Sequence, residues 1–214
     1  MRSKLGVAAT FLSLAATITL GQHISPRVVV EHVEGNASVD GERLDEPSAA
    51  NFGNRGGSVV RTGEGRVIIR LSGGTLFLGE NSSVRVIDRP YAMIELGVLT
   101  GSAVVITDGT GLGSAARVTC EERVTLAAAG VYRFDATRIA MSEHQDLTYC
   151  RLRVYQGAAA VQMPSFISVL TSGKMMNLNH TCGDHTPTGV FDVEEADGLD
   201  RWSRQNLGPG LIRQ

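Results

Sequence analysis

The sequence predicts an all-β protein: a solenoid-like or roll-like stack of short strands with glycine turns, plus an N-terminal signal helix and a short C-terminal helix. Three observations carry that class. Residues 61–87 hold three short stretches in which apolar and polar side chains alternate, the period of two of a half-buried strand. Glycine-containing pairs such as Asp40-Gly41 and Gly73-Gly74 interrupt the alternation where a turn needs positive φ. A glycine that separates an apolar strand end from a small or apolar strand recurs at Gly74, Gly101, Gly130 and Gly157, at intervals of 27, 29 and 27 residues. Near-constant spacing in this range marks stacked units that share one core, with an ordinary sandwich as the alternative.

In chain order, the first element is a secretory signal over 1–21. Arg2 and Lys4 precede a charge-free run from Leu5 to Leu20, and Gly21 supplies a small residue at the cleavage point. The alternative is an uncleaved inner-membrane anchor, although the run is slightly short for a bilayer core. The β domain is expected over 22–190. It opens with strands at 27–33 and 37–39 closed by the Asp40-Gly41 turn, followed by a polar surface loop over 42–57.

Val67, Ile69 and Leu71 then alternate on one face, with Ile68 breaking the pattern, and Leu76, Leu78, Val84 and Val86 resume it. Segments 92–98 and 102–107 read as a strand pair around Gly101. A glycine-rich turn follows at 108–114. Short strands are expected at 117–120, 123–128, 131–135, 138–141, 149–155, 158–163, 166–170 and 175–178. The last unit, 191–214, is a helix and tail: Asp192 caps the helix with Glu195 three residues on, and Leu199, Trp202 and Asn206 follow at helical spacing before Gly208-Pro209 stops it. This helix is expected to lay Leu199 and Trp202 on the sheet; a partner contact through Trp202 is the alternative.

The formal net charge of −2 becomes −4 once Arg2 and Lys4 are removed, which argues against nucleic acid or an anionic membrane surface as the main partner. Export allows a disulfide. Cys120 and Cys150 fall in expected strands and Cys182 in a polar loop, so the first two are the preferred bridge, with distance left to decide. His180, Cys182, Asp184 and His185 form the one dense cluster of metal-capable side chains, but their spacing matches no standard site, and a solvated loop without metal is the reading adopted. Gly109-Thr-Gly111-Leu-Gly113 lacks the spacing and the following helix of a nucleotide loop, so it reads as a turn. No nucleophile elbow, zincin, S-x-x-K or Walker pattern is present, so no catalytic residue and no cofactor is assigned.

Val60-Arg-Thr-Gly63, Leu78-Gly79-Glu80-Asn81-Ser82-Ser83-Val84-Arg85, Gly101-Ser-Ala-Val-Val, Gly130-Val-Tyr-Arg-Phe-Asp135 and Val154-Tyr-Gln-Gly157 together resemble a FecR-type domain of bacterial envelope proteins. The resemblance covers roughly residues 28–178. It implies a periplasmic all-β interaction module, associated in the founding family with signalling from an outer-membrane siderophore receptor to a sigma factor. It supplies no catalytic residues. The chain starts with MRSK and shows no cytoplasmic anti-sigma segment before the apolar run, a departure from the family pattern. The expected function is therefore a non-enzymatic exported protein, periplasmic or secreted, that binds or scaffolds another envelope protein. Alternatives are a carbohydrate or cell-wall binding module, a regulator of sigma-factor signalling, and a metal carrier or enzyme built on the 180–185 loop. Aromatic residues make up 5% of the chain, few for sugar-stacking platforms.

Overall fold

The computed structural model describes residues 28–44, 52, 57–88, 94–108, 116–120, 122–126, 129–142, 145–178 and 188–207. The expected signal over 1–21 lies outside them, and among the described residues no helix is long and apolar enough to cross a membrane. The described residues form an all-β fold with one short helix.

Long strands that bend are the organising device. β1 (Val28–Val39) turns through Asp40 and Gly41, both at positive φ, into β2 (Glu42–Arg43). Two bulges bend β1, one between Val30 and His32 and one between Gly35 and Ala37, and they join the two strands expected at 27–33 and 37–39 into one. β3 (Ser58–Leu71) pairs through residues 67–71 with β4 (Gly74–Leu78) and through 58–61 with β5 (Ser83–Ile87). β6 (Glu95–Thr107) flanks the same two strands on the other side, with 103–107 on β4 and 95–100 on β5. β4 and β5 thus act as one interrupted strand between two long ones. The four close a circuit of pairings, a small closed barrel core.

The remaining strands extend this bend. β7 (Ala116–Cys120) lies parallel to β6, and β8 (Glu122–Leu126) returns antiparallel beside it. β9 (Gly130–Ser142) pairs with the other end of β6, and β10 (Gln145–Gln156) pairs with β9. β11 (Ala158–Gln162) rests on β8 and carries β12 (Ile167–Thr171), whereas β13 (Lys174–Leu178) rests on β10 and carries β14 (Thr188–Val190). Two half-sheets result, β1-β3-β4-β6-β9-β10-β13-β14 and β2-β1-β3-β5-β6-β7-β8-β11-β12, continuous through the bent strands. Strands that switch sheets at bulges or kinks make the corners of such packings. Val30, Ile69, Leu76, Val105 and Leu152 from the first half meet Val60, Val84, Val86, Leu96 and Val161 from the second in one buried core. Leu44 and Phe52, from the segment expected to be a surface loop, are buried in it too.

The solenoid-like stack expected from the glycine spacing is replaced by this folded-over sheet. Gly101, Gly130 and Gly157 lie where the chain passes from one half-sheet to the other, while Gly74 opens β4 in the β3–β4 hairpin. The four positions are not equivalent, so the interval measures the length of bent strands rather than a coil. Segments 92–98 and 102–107 are correspondingly not a hairpin: β6 runs through Gly101, whose φ of 79° bends it without reversing it.

A hydroxyl network holds that corner. Thr62 Oγ1 donates to the Gly79 carbonyl at 2.5 Å and accepts from the Ser82 amide at 2.9 Å, and Ser82 Oγ accepts from the Ser102 amide at 2.9 Å. A Cβ on Gly101 would collide with Ser82, backbone included. Gly101→Ala is expected to cost at least about 1–2 kcal/mol from the left-handed backbone alone, read as a lower urea midpoint.

Helix α1 (Gly198–Gln205) covers the outer face of the first half-sheet. Eight residues do not hold a helix in water unaided, so tertiary contacts and caps must. Leu199 and Trp202 pack on Ile68, Phe77, Val104 and Ile106, with the Phe77 and Trp202 rings edge-to-face at 5.6 Å. Ile68, irregular in the sequence pattern, is apolar because β3 is buried on both faces there. The N-cap is Asp197, not Asp192 as expected: Asp197 Oδ1 accepts from the Leu199 and Asp200 amides, and the Asp200 carboxylate reaches back to the Asp197 amide. Asp192 instead accepts from the Glu194 amide in a local turn.

Candidate functional site

Features outside the core that could serve a function include a charged clamp under α1 and an open strand edge at β12. The clamp starts from a rule of alternation. In β9, Tyr132 and Phe134 point into the core, which sends Arg133 to the outer face beneath the helix, where it is nonetheless buried. Its guanidinium meets three carboxylates: Nη1 donates to Asp200 Oδ2 at 2.6 Å, Nη2 to Asp197 Oδ2 at 2.6 Å and Nε to Asp135 Oδ1 at 2.9 Å. Ser102 Oγ donates to Asp135 at 2.7 Å, and the Tyr155 hydroxyl donates to Asp200 at 3.1 Å.

Burial opposes the charge on Arg133, but the hydrogen bond with Asp197 and the charges of Asp135 and Asp200 outweigh it and hold the group above the ordinary arginine range. Burial likewise works to raise the Asp197 carboxyl; Arg133 and the helix amides overcome it and bring the value down to about 2. Burial, then the charge on Asp200, raises Tyr155. Planar, five-donor arginine suits this multiple pairing, and each of its bonds ties the helix to β9.

The sign of the pH effect follows from Asp197. Its folded value lies below the ordinary 3.8, so its contribution is present above about pH 4 and is lost as pH falls toward 2. Half of the side chain is exposed, so solvent screening keeps the effect modest. Trp202 is the chain's one tryptophan, and its emission is expected to report helix loosening in an acid titration over that window.

Beside the clamp, a cleft of about 340 Å³ runs between α1 and the sheet, floored by Val104, Ile106 and Val131 and rimmed by Tyr155, Arg204 and Leu207. Arg204 lies over the Tyr155 ring at 5.9 Å and donates to the Val193 carbonyl at 3.1 Å.

The open edge is at the end of the second half-sheet. β12 pairs with β11 on one side and, among the described residues, with no strand on the other. Leu170 points into the core, whereas Ile167 and Val169 are 68% and 65% exposed and Phe166 joins them. Residues 166–171, FISVLT, carry no charge. The opposite end of the same order is β2, two residues long and charged, the usual protection of an edge.

The Cys120–Cys150 bridge is present, with Cα atoms 5.9 Å apart. It links β7 to β10, strands of opposite half-sheets that do not pair, and both cysteines are buried in the core. Trp202 takes the covering role: it is 6% exposed, its Nε1 donates to Glu34 at 2.8 Å, and a partner would reach its ring only by displacing α1. His180, Cys182, Asp184 and His185 lie outside the described residues, as does the 109–113 turn. Sequence reading missed the Arg133 clamp, because no local pattern links an arginine at a strand centre to two aspartates more than sixty residues on.

No family model matches the chain. No curated protein matches it. Among solved structures, two crystal structures of a candidate anti-sigma factor from Parabacteroides distasonis ATCC 8503 align with it at 17% and 18% identity, each with a TM-score of 0.42. Each alignment covers 57% of this chain and 53% of that one, about half of that protein's length.

Proposed function

We propose that the protein is a non-enzymatic, exported interaction module of FecR-like type that docks an envelope protein on the β12 edge by strand addition. The observation that carries this reading is an uncharged strand that, among the described residues, pairs with no strand on one side and has Ile167 and Val169 exposed beside that edge. In strand addition the main-chain ladder supplies affinity and alternate side chains supply specificity, so such an edge has both parts. The charge-free run after Arg2 and Lys4 supports export, and a buried disulfide suits an oxidising compartment. The clamp under α1 has a structural role in this reading, since Arg133 spends its donors on aspartates that fasten a helix.

Val169→Lys places a charge on the edge and leaves the core untouched. Capture from a periplasmic extract by the full chain is expected to recover a discrete protein that is lost with V169K, at an unchanged melting temperature. Equal recovery by both chains would reject the reading.

A further inference from the structure

We propose that the cleft where β7 and β9 part from β6 binds a small hydroxylated organic acid, a sugar acid in chemical class. This inference stands apart from the β12 reading and rests on other residues.

β6 has β7 beside it at residues 95–97 and β9 from Gly101 onward, so the two neighbours diverge to different half-sheets and leave a fork over 98–100. On its other side the register with β5 steps from Val98 to Thr100, so Leu99 is an extra residue with no partner in either ladder. A bulge of this kind re-aims a side chain and often lies beside a binding site. Here it borders a cleft of about 460 Å³, within the range of small-molecule pockets and larger than a lone inorganic anion requires.

The groups that line the fork define the ligand. Alternation sends Val84 and Val86 into the core and Arg85 and Ile87 outward, and Gly97, opposite Arg85, leaves the floor without a side chain. Among the described residues, the Arg85 guanidinium and the Thr119 and Thr148 hydroxyls have no hydrogen-bond or ion-pair partner, and all three line the cleft. Glu95 also lines it, but its carboxylate is held by Arg117 at 2.9 Å, so the positive charge of Arg85 is not cancelled. A guanidinium fork matches a planar carboxylate, two hydroxyls match ligand hydroxyls, and Ile87 and Leu99 can face the carbon skeleton.

The test is isothermal titration of the full chain with glucuronate, glucose and inorganic phosphate at physiological salt. Saturable binding of glucuronate is expected, weakened at least tenfold in Arg85→Gln and in Thr148→Val, with glucose much weaker. Both variants change side chains outside the core, and thermal melting of each confirms that the fold is intact. Absence of saturable glucuronate binding, equal binding by R85Q, or phosphate binding as tightly as glucuronate would overturn the assignment.

Discussion

Arg133→Met is expected to release helix α1 and to lower stability by about 3–5 kcal/mol, the cost of removing one partner from a buried ionic cluster. The size of the effect comes from what stays behind. Asp200 is 4% exposed, and without the guanidinium it keeps only the Tyr155 hydroxyl and the Asp197 amide as donors for a buried charge. Asp135 Oδ1 loses the guanidinium and keeps only the Ser102 hydroxyl, while its Oδ2 is already buried without a hydrogen bond. Arg133→Lys is expected to fall between, because an ammonium cannot present the fork that spans Asp135, Asp197 and Asp200 together. Red-shifted Trp202 emission together with an early urea transition checks this, and an unshifted spectrum in R133M would show that apolar packing on Phe77 suffices to hold the helix.

The second large effect belongs to the disulfide. Replacing Cys120 and Cys150 together by alanine is expected to cost about 3–4 kcal/mol, the chain-entropy value for a loop of this size. The sequence separation is 30 residues, and the bridged strands share no ladder, so the bond is a direct covalent tie between the two half-sheets. Alanine avoids burying an unpaired hydroxyl, which serine would do in a core this apolar. Urea titration of the double variant, set against the intact chain with and without reductant, checks the figure. A midpoint that reductant does not move in the intact chain would contradict it.

The parts of this fold legible in the sequence were those decided within a few residues. Val67, Ile69 and Leu71 alternate because one face of β3 meets the core, and Asp40-Gly41 turns because both residues accept positive φ. Bending at Gly101 was not legible: a positive-φ glycine between two apolar stretches serves a hairpin or a kink equally, and Ser82, nineteen residues earlier, decides for the kink. The helix start shows the same limit. Asp192 with Glu195 and Asp197 with Asp200 are both acceptable capping pairs, and the choice goes to the pair that Arg133 also grips. Ile68 breaks the strand alternation because Trp202, far along the chain, covers it on the outer face. The strand expected at 166–170 lies at Ile167–Thr171, but its place at a sheet edge depends on the order in which bent strands pair, and no single segment encodes that order.

Site-specific photo-crosslinking in producing cells tests the β12 edge most directly. A crosslinking side chain at position 169 on β12 is compared with one at position 42 on β2, the charged edge at the opposite end of the order. The expected result is one discrete adduct with an envelope protein from position 169 and none from position 42. No adduct from 169, or the same adduct from both, would contradict the claim that this protein works through its β12 edge.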